Sequence, residues 1–256
     1  MSKVAQLQGQ FLARFCETAR ARLARSLELL GAGASTHAGA IRIELYSLAG
    51  EAAFLGCTDV LALARQGEAA ARRIPEDRTA VLACTRAVRA LGRALDALEA
   101  LPLGGPRVQD AAAFSAARPP RAAAFRGRIL LVDDSKLSSD LLTSMLVEEG
   151  YAVETASTAP GLERVLAKFS PDLALSDVNM PELDCAVVCR RVREVAPRAR
   201  VVLISGLAEE ALARARVRVG ADGHVTRERG LAAVVERVRA EFAAAAEPRG
   251  GGADGG

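Results

Sequence analysis

Over the first hundred residues, apolar side chains recur every three or four positions. Leu12, Phe15, Ala19, Leu23, Leu27 and Leu30 make one such stripe, and Val81, Val88, Leu91, Leu95 and Leu98 another, the period of a helix with one buried face. Between them the spacing predicts two more helices, roughly 37–54 and 58–74. They are separated by "LGCTD", where Gly56 stops one helix and Thr58 caps the next. Four antiparallel helices joined by short turns predict an all-α four-helix bundle over residues 1–102.

After residue 127 the pattern changes. "RILLVDD", "YAVETAS", "DLALSDV", "RVVLIS" and "GHVTR" are short β-rich runs, each followed by a helix-length segment. Apolar strands alternating with crossover helices predict a doubly wound α/β domain over 128–246, built on a parallel five-stranded sheet buried on both faces. Residues 103–127 carry Gly-Gly, Pro-Pro and scattered arginines with little apolar periodicity, the composition of a flexible linker. The tail 247–256, "EPRGGGADGG", reads as disordered.

Composition narrows the classes. Half of the 256 residues are hydrophobic and a quarter charged, as in an ordinary globular protein. No apolar run approaches the roughly 20 residues that cross a bilayer, and the start lacks a secretory pattern, so a cytoplasmic protein without membrane contact is expected. A net charge of +3, with no broad basic face or helix-turn-helix pattern, argues against nucleic acid as a partner. The five cysteines are odd in number and mostly set in apolar helical patterns, which fits reduced core thiols.

The α/β segment carries the chemistry. Asp133 and Asp134 follow "ILLV", and Asp177 follows "LALS"; ligands of open parallel sheets bind at the carboxyl ends of the strands, where strand order switches. Three converging carboxylates repel one another unless a cation neutralises them, and Mg²⁺ suits an all-oxygen set. With "LLVDDS", "LSDVNMP" and "VVLISG" at suitable intervals, residues 128–246 resemble a receiver domain of the two-component response regulators, a flavodoxin-like fold. The resemblance implies that Asp177 accepts a phosphoryl group, that Asp133, Asp134, Asp177 and the backbone carbonyl of Asn179 hold Mg²⁺, and that Ser205 is the switch hydroxyl. It departs from the family at Arg227, which stands where a lysine is usual and keeps the charge on a planar fork. His224 stands where an aromatic ring is usual.

"LYSLAGEAAFLG" resembles the active helix of a histidine phosphotransfer domain. Tyr46 takes the place of the phosphate-carrying histidine and Ala49 that of the lysine, while Leu48 and Gly50 are kept. A phenol does not replace an imidazole as a reversible carrier, so this module is expected to be catalytically dead, and His37 lacks the motif. Gly50, one turn from position 46, leaves a gap through which a receiver could approach. The chain is therefore expected to be a phosphorelay response regulator rather than an enzyme, capable only of its own phosphorylation and dephosphorylation. Its partners would be a histidine kinase or phosphotransfer protein, with another receiver docking near Tyr46 and Gly50. The alternatives are an unphosphorylated scaffold that competes for kinase or receiver docking, and a phosphate sink.

Overall fold

The computed structural model describes residues 3–100 and 125–246. Residues 103–124 of the expected linker and the tail 247–256 lie outside the described residues.

The chain begins with helix α1, Lys3–Leu55, followed by α2, Thr58–Arg73, and α3, Thr79–Glu99. Where two separate helices were expected, α1 is broken only at Gly33, whose φ of 135° and ψ of 82° interrupt the helical path and suit a residue without a Cβ. Arg22 reaches back across the break to Glu44 at 2.9 Å and Glu51 at 3.1 Å. A straight helix would hold those pairs about 33 and 44 Å apart, so the two arms fold onto each other. Phe15, Ala19 and Leu23 are buried as the stripe requires, whereas Leu27 is 40% exposed and Ser26 takes the inward position. The 3.6-residue period had drifted by that turn. Gly56 ends α1 in the left-handed region, φ 71°, but Thr58 is the first residue of α2 and not its cap. Cys57 flanks the helix, and no side chain caps its amides.

In the second half, β1 (Arg128–Val132), β2 (Ala152–Ala156), β3 (Leu173–Asp177), β4 (Arg200–Ser205) and β5 (Gly223–Thr226) form one parallel sheet in the order β2-β1-β3-β4-β5. The connections and end are helical: α4 (Lys136–Glu148), α5 (Ala159–Leu166), α6 (Cys185–Val195), α7 (Glu209–Val219), a 3₁₀ turn at Arg227–Arg229 and α8 (Gly230–Ala246). Caps come from Ser135, Thr158 and Asp184, whose side chains accept amides of α4, α5 and α6. Alternate strand residues feed two cores. Leu130, Val132, Ala174, Val201 and Leu203 meet α5, α6 and α7. Ile129, Leu131, Leu175, Val202 and Ile204 meet α4 and α8, and this core runs without interruption into Phe15, Leu45, Leu48 and Phe54 of α1. The two halves thus share one hydrophobic interior.

No described helix is long and apolar enough to cross a membrane. The five cysteines are unpaired, and burial lifts the thiols of Cys57, Cys84 and Cys189 to about 11, which leaves them inert at neutral pH.

Candidate functional site

Register brings the strand ends to one level: Val132 pairs with Ser176, Asp177 with Ile204, and Ser205 with Thr226. The next residues along β1 and β5 are Asp133, Asp134 and Arg227. Carboxylate oxygens of Asp133, Asp134 and Asp177 lie within 4.8 Å of one another. Asp133 and Asp177 are buried, while Asp134 faces solvent. This set of hard oxygen donors fits a divalent cation.

Arg227 enters this pocket from the end of β5. Its Nη2 donates to Asp133 Oδ2 and to Asp177 Oδ2, both at 2.7 Å, and its Nη1 donates to Ser138 Oγ at 3.0 Å. Arg227 as a whole is 2% exposed. Burial opposes its charge, but Asp133 and Asp177 outweigh that and hold it protonated. Burial likewise pushes the Asp133 carboxyl up to about 7, against Arg227 and with the help of Asp177. Asp177 Oδ1 accepts the amides of Val178 at 2.6 Å and Asn179 at 3.2 Å.

The folded value of Asp133, about 7, lies above the unfolded carboxylate value near 3.9, so between about pH 4 and 7 the folded chain binds the extra proton. Its contribution then costs stability above pH 7 and none below pH 4. Without divalent cation, urea denaturation is expected to show about 1–3 kcal/mol more stability from this residue at pH 5 than at pH 8. Asp133→Asn is expected to flatten that part of the profile.

The residues predicted from sequence are therefore brought together, and α1 is packed over them. Tyr46, 8% exposed, shares a 2.6 Å hydrogen bond with Ser205 Oγ, and its Oη accepts the Gly206 amide at 2.8 Å. Burial first, and then the charge of Asp177, raise the phenol's pKa, which keeps it a neutral hydroxyl. Ser135 Oγ donates to Glu51 Oε1 at 2.7 Å. Arg65 donates from Nε to Glu228 at 3.0 Å and from Nη2 to the Gly206 carbonyl. Arg14 binds Asp140 at 2.6 Å. A receiver was expected near Tyr46, but not this chain's own, and none of these pairings was foreseen. Arg65 and Glu228 lie 163 positions apart, and no local pattern couples them.

Gly50 does leave a gap, and Arg227 fills it. A Cβ at Gly50 would sit 3.1 Å from Arg227 Cδ and 3.3 Å from Nη1, while Phe54 places its ring 5.2 Å from the guanidinium carbon. Gly50→Val is expected to weaken the contact between the two halves, because a branched side chain cannot share that space with the buried stem. Small-angle scattering should record a larger radius of gyration than for wild type. His224 pairs with Glu209 at 2.7 Å, on the side of β5 that α7 covers. Asn179 is exposed beside the pocket.

A parallel sheet with an acidic pocket at its switch in strand order defines a flavodoxin-like α/β domain. Residues 129–239 match the family described as the response regulator receiver domain. The chain is 34% identical over 117 residues to the chemotaxis protein CheY of Treponema pallidum, covering 43% of this chain and 79% of that protein. It is 29% identical over 111 residues to the TorCAD operon transcriptional regulatory protein TorR of Escherichia coli K12, covering 43% of this chain and 48% of TorR, so it spans about half of that regulator's length. A CheY-like receiver domain structure from Methanospirillum hungatei shows 23% identity and a TM-score of 0.43, over 47% of this chain and 96% of the other. The chain belongs to the response regulator receiver family, and residues 129–239 are its two-component receiver domain.

Proposed function

We propose that this receiver is phosphorylated on Asp177, and that the helical half is a histidine phosphotransfer-like module, a four-helix bundle over residues 1–102, that has lost its carrier histidine and acts by binding. The observation that carries the reading is the convergence of Asp133, Asp134, Asp177, Ser205 and Arg227 at the carboxyl end of the sheet. A cap-only role for the acids accounts poorly for a buried pair bridged by a guanidinium.

A carboxylate oxygen of Asp177 attacks the phosphorus of a phosphohistidine on a kinase or phosphotransfer protein. The new bond is Asp177 Oδ–P, the P–N bond breaks, and the electron pair leaves with the imidazole, which takes up a proton. Arg227 is placed to neutralise charge on the transferring oxygens, and Ser205 to donate to one of them. Asp133, Asp134, Asp177 and the Asn179 carbonyl would hold Mg²⁺, which supplies further charge neutralisation when bound. A kinase or phosphotransfer protein as donor places the reaction in the cytoplasm, with the chain as substrate rather than turnover enzyme. The face around Tyr46 and Gly50 also offers itself to another protein's receiver once it is free.

Radiolabelled acetyl phosphate with Mg²⁺ is expected to label the full chain, and Asp177→Ala to abolish the label. Equal labelling of both proteins overturns the assignment. Absence of label from a folded chain, with a cognate kinase as donor as well, favours the scaffold reading, which the covering of the pocket by α1 already suits. Rapid loss of label would identify a phosphate sink.

A further inference from the structure

Two polar groups meet one oxygen atom at the end of β4. The Gly206 amide donates to Tyr46 Oη at 2.8 Å, and Ser205 Oγ shares a 2.6 Å hydrogen bond with it, in a buried setting that feels the charge of Asp177. An amide and a hydroxyl free to turn its proton toward the same point make a seat for an oxygen that carries negative charge, and a neutral phenol now fills it. The seat has no room to spare, since a Cβ on Gly206 would meet the Tyr46 ring at 3.4 Å and Arg65 at 2.6 Å. Arg65 covers the Tyr46 ring at 5.5 Å, and Gly50 and Phe54 enclose the Arg227 stem on the neighbouring turn.

We propose that the Tyr46 face of α1 is a receptor for this chain's own receiver, and that its phenol and a phosphoryl group on Asp177 compete for the same two donors. Docking and phosphorylation then exclude each other. The inference rests on the reading of Asp177 as the phosphoacceptor and adds its regulation. An added phosphoryl group would bring negative charge and three oxygens to compete for groups that Tyr46 Oη already engages, the Gly206 amide among them. It also calls Arg227 away from Asp133 and Asp177, although α1 holds the stem of that arginine in place. A donor protein therefore meets the acid only when the halves are apart, and the observed uptake rate is the intrinsic rate multiplied by the open fraction. Once loaded, the receiver holds the Tyr46 face free.

The Arg14–Asp140 pair tests this away from the acidic pocket. Both partners are about one-third exposed, and neither touches the reacting groups. Arg14→Asp is expected to raise the initial rate of Asp177-dependent uptake from acetyl phosphate about three- to tenfold, and the exchange Arg14→Asp with Asp140→Arg to return it toward wild type. Arg65→Ala, which removes the contacts with Glu228 and Gly206, is expected to act in the same direction as Arg14→Asp. Equal uptake rates in wild type, Arg14→Asp and Arg65→Ala would sink the competition and leave the phosphoacceptor reading standing. Failure of every protein to take up phosphate, Tyr46→Ala included, would overturn that reading and this inference together.

Discussion

Arg227→Ala is expected to cost the chain about 3–5 kcal/mol at pH 8, the usual penalty for removing one partner of a buried ion pair. The guanidinium is the only described cation whose nitrogen bonds both Asp133 and Asp177, and without it two carboxylates stay buried and facing each other. Protonation relieves that repulsion. The Asp133 carboxyl already lies near 7 with the cation present, and losing the cation raises it further. The deficit should therefore shrink as pH falls from 8 toward 7, where the folded variant holds a proton that the folded wild type has largely released, and level off toward 5, where both hold it. Urea denaturation at the two pH values would show it. Arg227→Lys should recover part of the loss, because an ammonium keeps the charge but not the fork that reaches two carboxylates and Ser138 together. A deficit below 1 kcal/mol at both pH values would mean that solvent reaches these acids.

Tyr46→Ala carries the second large effect. The side chain is nearly buried between the halves, and truncating a buried aromatic costs about 3–5 kcal/mol. Here the loss falls on the contact between the halves, so thermal unfolding should split from one transition into two. Tyr46→Phe separates the phenol oxygen from the ring. It keeps the packing but strands the Gly206 amide and Ser205 hydroxyl, and should weaken docking by about 1–3 kcal/mol. Of the two, only Tyr46→Phe tests the seat itself. If it uncouples the halves no more than a surface substitution does, the hydrogen bonds to Ser205 and Gly206 are not what holds α1 in place.

Strand ends were the most legible part of the chain. Asp133, Asp134, Asp177 and Ser205 end or follow apolar runs of similar length, so parallel register alone puts them at the carboxyl end of the sheet. Arg227 was located, but not its double contact, because the reach of a long side chain is set by packing and not by position in sequence. The helical half was legible in its period up to Leu23, after which Leu27 and Ser26 exchanged places. Thr58 was misread as a cap because the left-handed turn at Gly56 makes Cys57 the flanking residue. The face of α1 that meets a receiver was legible at Tyr46 and Gly50, but its occupant was not. That this chain's own receiver fills it depends on Tyr46 meeting Ser205, 159 residues away, and on Arg227 lying against Gly50, pairings that no local pattern couples.

The decisive measurement is the distance between the two halves, read by a pair of spin labels on exposed sites of α3 and α7, before and after treatment with acetyl phosphate and Mg²⁺. The account predicts a short, narrow distribution before treatment, and a longer and broader one in the fraction phosphorylated on Asp177. Asp177→Ala should stay short throughout. A chain that carries phosphate on Asp177 in full and keeps the short distance would show that Tyr46 and the phosphoryl group do not contend for Ser205 and Gly206.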